Sequence, residues 1–254
     1  MPRDLVTTVH ETYLSRYQNG ARRRPAGEVH ECGTITIASF GGAHPMLNMA
    51  FVFELPTRSE LERAIEWITT RQIPFWLNVT EAALSAVENV ADDFGLDQLD
   101  MVLPGMVLTL PDELPANDSN ATVTRVTTAE EAAEYQDVFE TVFDLQGEEE
   151  SNEPSENFTP DNRFRSFVGR VDETAVATGG VYLSDGVANV FGMAVLPEFR
   201  GRGIGKAMCH EVLREGREAG CEFATLESTP MATPLYKKIG FERVVDYHLF
   251  EVVS

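Results

Sequence analysis

An apolar run that passes through glycines and arginines straight into an amphipathic helix has few ways to fold. Residues 187–206, VANVFGMAVLPEFRGRGIGK, make such a passage. Both alternating faces of residues 187–196 are largely apolar, with Val187, Phe191, Met193 and Val195 on one and Ala188, Val190, Ala194 and Leu196 on the other. This pattern predicts a central strand covered on both sides. Pro197 has no N–H for a ladder bond and ends the strand. Ile204, Ala207, Met208 and Val212 then space one apolar face of a helix over 203–219, which Gly220 stops.

A strand, a glycine turn and a helix together form a holder for phosphate. The first N–H groups of the helix lack internal partners, and the positive end of its dipole lies behind them. Gly201, Gly203 and Gly205 let the backbone approach a ligand, while Arg200, Arg202 and Lys206 add positive charge. Spacing narrows the ligand. A nucleoside-triphosphate loop needs G-x-x-x-x-G-K-[ST], but the run from Gly201 to Lys206 is one residue short and Ala207 replaces the metal-binding hydroxyl. The dinucleotide pattern G-x-G-x-x-G fails because Lys206 holds the place of its third glycine.

The other elements follow in order. Residues 3–19 read as a weak helix, 34–40 and 49–55 as strands. Thr57 and Glu60 form a capping box for a helix with Leu61, Ala64, Ile65 and Ile68 on one face. A strand at 74–78, a helix at 81–93 and a strand at 101–110, interrupted at Pro104-Gly105, complete the first half. Residues 111–120, polar and proline-bearing, read as a linker. Beyond it come a strand at 121–126 and a helix capped by Thr128 and Glu131, with Tyr135, Val138, Phe139 and Val142 inward. An acidic loop follows at 146–155, then a hairpin at 165–171 and 175–183 that turns at Asp185-Gly186 into the central strand. After the main helix come a strand at 222–228, a helix at 232–239 and a closing strand at 241–252.

Two motifs in this order carry a family resemblance. Arg200-x-x-Gly203-x-Gly205, preceded by Met193-Ala194-Val195-Leu196-Pro197, resembles the acetyl-CoA motif of the GNAT superfamily of N-acetyltransferases. Pro234-Leu235-Tyr236-Lys237-Lys238-Ile239-Gly240-Phe241 is similar to the family's A-x-x-L-Y-x-x-x-G-F. The resemblance covers about residues 121–254 and implies an α/β (α+β) fold: a GNAT-like mixed sheet flanked by helices. Residues 49–110 repeat the element order of 187–252, with the glycine turn replaced by Thr57-Arg58-Ser59-Glu60. The first half, 1–115, therefore resembles a degenerate GNAT-like copy set before a catalytic domain at 121–254.

The resemblance further implies an N-acetyltransferase that passes the acetyl group of acetyl-CoA to an amine by direct attack, with no metal. The pyrophosphate would lie on Gly201, Arg202, Gly203, Ile204, Gly205 and Lys206, beside Arg200, and the pantetheine amides on Met193, Ala194 and Val195. Tyr236 holds the family's place for the acid that protonates the leaving thiolate, or is a core aromatic. Glu227 is a candidate base, or one more carboxylate; many relatives use a water chain instead. Where some relatives carry an asparagine, this chain has Ser228-Thr229-Pro230. The alternative function is a non-catalytic acyl-CoA-binding or regulatory module.

Charge bounds the partners. With 41 acidic against 20 basic residues the formal charge is −21, and the lysines are Lys206, Lys237 and Lys238. Such a balance resembles proteins of salt-accumulating halophiles; the rival is an acidic surface for a basic partner. The absence of a basic stripe argues against nucleic acid. Without an 18-residue apolar run or a signal segment, the expectation is a cytoplasmic protein with no membrane role. The acceptor is an amine-bearing small molecule or peptide, and the chain a monomer or homodimer. Cys32, Cys209 and Cys221 suggest no disulfide framework or zinc spacing, and Cys209-His210 reads as a buried structural cysteine beside an exposed histidine.

Overall fold

The computed structural model describes residues 4–145 and 163–252, so the expected acidic loop at 146–155 lies outside the described residues. The first half runs α1 (Leu5–Arg22), β1 (Glu28–Cys32), β2 (Ile35–Ser39), β3 (Asn48–Val52), α2 (Arg58–Thr69), β4 (Trp76–Thr80), α3 (Glu81–Glu88), α4 (Ala91–Phe94) and β5 (Leu96–Thr109). The second runs β6 (Thr122–Arg125), α5 (Ala129–Phe143), β7 (Phe164–Val171), β8 (Thr174–Ser184), β9 (Val187–Val195), α6 (Ile204–Glu218), β10 (Phe223–Glu227), α7 (Thr233–Ile239) and β11 (Glu242–Val252). Residues 111–120, between them, carry neither helix nor strand.

Among the described residues the strands form one mixed sheet in the order β1-β2-β3-β4-β11-β5-β10-β9-β8-β7-β6. The last strand of each half has crossed into the other. β11 pairs antiparallel with β4, β5 pairs antiparallel with β10, and β5 and β11 pair with each other at the centre. Each half thus depends on a strand from the other to complete its hydrogen-bond ladder.

Alternation along the strands assigns the faces. Ala50 and Val52 of β3 turn toward α2, whose Leu61, Ala64, Ile65 and Ile68 are buried as the periodicity predicts. Met49 and Phe51 turn to the other face, against Val9, Tyr13 and Tyr17 of α1. In the second half α6 lays Ile204, Met208, Val212 and Leu213 on Ala188, Val190, Ala224 and Leu226. Burying side chains such as Leu213 and Val212 contributes about 1.5–3 kcal/mol each, and both are fully covered. α5 packs Tyr135, with Ala132 and Phe139 beside it, against Val126 and Val168 on the α1 side.

α1 crosses the boundary between the halves. Tyr13 donates to Asn78 Oδ1 of β4 at 3.0 Å, and Thr12 shares a 3.0 Å hydrogen bond with Thr225 of β10. Ser15 and Asn19 meet the Tyr182 hydroxyl of β8 at 2.8 and 2.9 Å.

Three expectations need correction. β1 is a strand that the sequence reading passed over. The helix expected at 81–93 breaks into α3 and α4 at Asn89-Val90. β5 runs uninterrupted through Pro104-Gly105. β10 ends opposite Gly105, one residue short of Pro104, whose carbonyl still accepts from Ser228 N at 2.9 Å, while β11 continues the ladder on the other side with Asp246 opposite Pro104. No helix among the described residues is long and apolar enough to cross a membrane.

Candidate active site

β9 and β10 lie parallel but pair only from Val187 to Asn189 against Phe223 to Thr225, and then part. The cause is a bulge. β9 carries an extra residue between Phe191 and Ala194, where the β8 register steps from Gly180 to Thr178. Gly192 makes it with φ +60, and a Cβ there would come within 2.4 Å of the Tyr135 hydroxyl, so only glycine fits. Thr178 Oγ1 donates to the Gly192 carbonyl at 2.8 Å and holds the bulge. Leu196 N bonds to Val176 O on the β8 side, so the Val195 carbonyl of the same peptide points into the gap. Arg200 Nε donates to that carbonyl at 3.0 Å.

Pro197–Phe199 forms a single 3-10 turn that leads to Arg200 and the glycines. Gly201 and Gly203 have φ +75 and +81, a backbone that side chains other than glycine rarely adopt. A Cβ on Gly201 would meet nothing within 4 Å, and one on Gly203 only Ser119 at 3.7 Å, so the space over the turn is open. Gly203 is the N-cap of α6 and gives it no side-chain cap. Ile204 is buried and anchors the helix start in the core, leaving the first-turn N–H groups directed outward. Lys206 Nζ lies 3.1 Å from Asp118 of the linker in an exposed pair, which contributes little stability and yields readily to a stronger anion. Glycines, outward N–H groups and three cations fit a pyrophosphate.

α7 ends at Gly240, φ +116, and places Tyr236 one turn earlier, 5% exposed, its ring edge-on to Phe241. Burial, with smaller contributions from Cys209 and Glu227, holds its hydroxyl well above the usual tyrosine range. Tyr236 therefore keeps its proton at neutral pH, as a general acid must. Glu227, at the end of β10, faces α1 instead. Its Oε2 receives Arg16 Nη2 at 3.1 Å and its Oε1 receives Asn189 Nδ2 at 3.2 Å. Burial pushes its carboxyl up to about 7, with Arg16 opposing the rise. A group titrating near 7 suits a general base.

Ser228 spends its hydroxyl on Thr229 O and Thr233 Oγ1 at 2.9 and 3.0 Å. It fixes the lead into α7. His210, expected to be exposed, is buried with Cys209 on α6; burial pushes the Cys209 thiol up to about 12 and lowers His210, so this pair is inert packing. A cleft of about 860 Å³ lies over the β5–β11 seam, lined by Asp100, Arg243, Asp246 and His248 among others; none of its lining residues belongs to the glycine turn.

The sequence reading missed Arg16 and Asn189. Asn189 left a trace, as a polar residue inside an apolar run. Arg16, 211 positions from its partner, left none.

A parallel strand pair that parts beside an uncapped, glycine-led helix defines the fold class of the N-acetyltransferases. Residues 130–241 match the model of the Acetyltransferase (GNAT) family. Over 54 residues the chain is 33% identical to an uncharacterised N-acetyltransferase, ycf52, of Pyropia yezoensis, and over 55 residues 34% identical to glucosamine 6-phosphate N-acetyltransferase of Trypanosoma brucei brucei. Those matches cover 21% and 22% of this chain, and about a third of the relatives' own length, 31% and 37%. A GCN5-related N-acetyltransferase from Kribbella flavida superposes with TM-score 0.69 at 19% identity over 95% of both chains. A tandem GNAT protein from the clavulanic acid biosynthesis pathway superposes with TM-score 0.59 at 14% identity, over 96% of this chain and 86% of its own. At these identities the structures establish the fold.

Proposed function

We propose that the chain is an acetyl-CoA-dependent N-acetyltransferase with one site, built on residues 121–254, and that residues 1–115 are a degenerate copy of the same unit. The observation that carries this reading is the open, uncapped α6 N-terminus beside the parted β9–β10 pair. Gly201, Arg202, Gly203, Ile204, Gly205 and Lys206, with Arg200, would hold the pyrophosphate; Met193, Ala194 and Val195 would hold the pantetheine arm. Bound there, acetyl-CoA supplies an activated thioester.

The residues divide the proton work. Glu227 takes a proton from the acceptor's ammonium group, which frees the nitrogen lone pair to form the C–N bond as the C–S bond breaks. A backbone N–H of the parted β9 edge steadies the charge on the carbonyl oxygen. Tyr236 gives its hydroxyl proton to the departing thiolate and regains one from the new amide nitrogen. Glu227 then releases its proton to water, and the balance is one amide, one thiol and one proton.

The acceptor is an amine-bearing small molecule or peptide. The relative named for glucosamine 6-phosphate makes amino sugars the first acceptors to test. One observation favours a second reading, a non-catalytic acyl-CoA-binding module: Glu227 has a side chain only 5% exposed and already paired with Arg16. Thiol release from acetyl-CoA with a panel of amines separates the two. The acidic surface supports a salt-accumulating source, so the assay and the melting temperature are followed from about 0.1 to about 2 M potassium chloride, where screening should raise both. Thiol release that depends on the amine supports the enzyme. Acetyl-CoA binding with no turnover on any amine supports the module, and a flat or falling response to salt removes the halophile reading.

A further inference from the structure

The residue that sets the charge of the proposed base comes from outside the family-matched segment. Arg16 lies on α1, more than a hundred residues before residue 130, where the match begins. α1 is pinned over β10 by Thr12 to Thr225 and over β8 by Ser15 and Asn19 to Tyr182. This anchoring brings the guanidinium beneath the parted strands. There it is sandwiched by rings, with its Cζ 4.7 Å from the Tyr17 centroid, 5.4 Å from Tyr13 and 5.6 Å from Phe191. Its side chain is 16% exposed and that of Glu227 5%.

The contact is single rather than forked. Nη2 reaches Glu227 Oε2, while Arg16 Nε is buried without a hydrogen-bond partner. A pair held only for stability gains most from the two-pronged geometry. Here the carboxylate instead keeps lone pairs unspent on both oxygens, since each accepts one bond.

Among the described residues, the polar and titratable groups around Glu227 are few. They are Arg16, Tyr13 and Tyr17 from α1, Asn189 from β9, Tyr236 from α7 and Tyr247 from β11. All four tyrosines are held above their ordinary range by burial, so none is charged near neutral pH. Arg16 is the one permanent charge in the set. Without it, burial would be opposed only by the Asn189 and backbone hydrogen bonds and would favour the protonated form, which accepts no proton.

We propose that Arg16 is a positioning residue for acetyl transfer: the first half of the chain, through α1, keeps Glu227 ionised and aimed so that the second half can deprotonate its amine. The proposal rests on the N-acetyltransferase reading for its kinetic consequence, but the charge control it asserts can be measured without acetyl-CoA.

The experiment compares the full-length wild type with Arg16→Met, which keeps apolar volume between the rings, and Arg16→Lys, which keeps the charge. The Glu227 carboxyl is followed by carbon-13 NMR of glutamate-labelled protein, with Glu227→Gln to assign the signal. The Arg16→Met titration should move upward by about 1–3 pH units, the usual effect of removing an adjacent opposite charge. Arg16→Lys should restore most of that shift. In kcat/KM, activity rises with pH as Glu227 ionises, so the acid limb of Arg16→Met should move upward by the same amount. Its rate should fall about tenfold or more at pH 7 and recover toward pH 9. A purely structural role for Arg16 would instead lower the rate equally at every pH. An unchanged carboxyl titration in Arg16→Met overturns the proposal. So does a Glu227→Gln variant with wild-type kcat/KM across the pH range, a result that leaves acetyl transfer itself standing. Wild-type protein that releases no thiol with any amine defeats the enzyme reading, while the carboxyl titration still reports whether Arg16 governs Glu227.

Discussion

The succession of strand, helix, strand, helix, strand from β9 to β11 recurs from β3 to β5, with α3 and α4 standing where the second half has α7 alone, and further differences fall at the α2 and α6 N-termini and where the paired strands end. β3 and β4 stay paired from Met49–Trp76 to Val52–Val79, and Thr80 Oγ1 then catches the Phe53 carbonyl at 2.8 Å. β9 and β10 part after Asn189–Thr225. The α2 N-terminus is filled by its own chain: Thr57 caps Glu60 N, and the Glu60 carboxylate accepts from Thr57 N at 2.7 Å and from Thr34 N at 3.1 Å. At the same place in α6 stand Gly203 and, three residues on, Lys206. α4 and α7 both end on a left-handed glycine, Gly95 and Gly240, and counting back four residues gives Ala91 in one and Tyr236 in the other. The first half has spent on stability each group that the second leaves available for a ligand. A side-chain N-cap contributes about 1 kcal/mol, which α6 goes without.

This contrast can be broken at three points. Tyr236→Phe keeps the ring against Phe241 and removes only the proton. If Tyr236 protonates the leaving thiolate, the single-turnover rate should fall about 10²–10⁴-fold with melting temperature and acetyl-CoA affinity unchanged. A fall below about threefold would reduce Tyr236 to the packing role that Ala91 has in the first half.

Lys206→Glu copies the α2 device into α6 by placing a carboxylate at the third helical position. Acetyl-CoA affinity by calorimetry should weaken about 10–100-fold, because an anion of the protein would claim the N–H groups meant for phosphate. Unchanged affinity would show that phosphate does not bind at this helix end.

The smallest effect belongs to the first half. Thr57→Ala removes the α2 cap and should cost about 0.5–2 kcal/mol, seen as a fall of about 1–8 °C in melting temperature for a chain of this size. Acetyl-CoA binding should not change, and a clear loss of affinity would place a ligand where the account sees only a capped helix.

What could be read in the sequence was what is local. Arg200 to Lys206, the capping boxes at Thr57 and Thr128, and the inner faces of α2 and α6 depend on neighbours within a turn or two and stand where periodicity and spacing put them, while α5 buries Tyr135 and Val138 as expected but Gln136 in place of Phe139 and Val142. β1 escaped because Glu28, His30 and Glu31 give it little apolar alternation on the edge of the sheet. Pro104 misled because its place in the ladder depends on β10 and β11, which are other segments. The exchange of β5 and β11 and the arrival of Arg16 at Glu227 are long-range outcomes that no window of sequence contains. The exchange also changes what can be tested. A fragment of residues 1–115 would leave β4 and β5 without β11, so the first half is best examined within the whole chain.

The central claim is that one half of this molecule holds acetyl-CoA and the other has lost the means to do so. Titration calorimetry of the full-length protein with acetyl-CoA tests it most directly. One site per chain, weakened by Lys206→Glu and indifferent to Thr57→Ala, is the predicted result; two sites per chain, or a single site that Lys206→Glu leaves untouched, would contradict it.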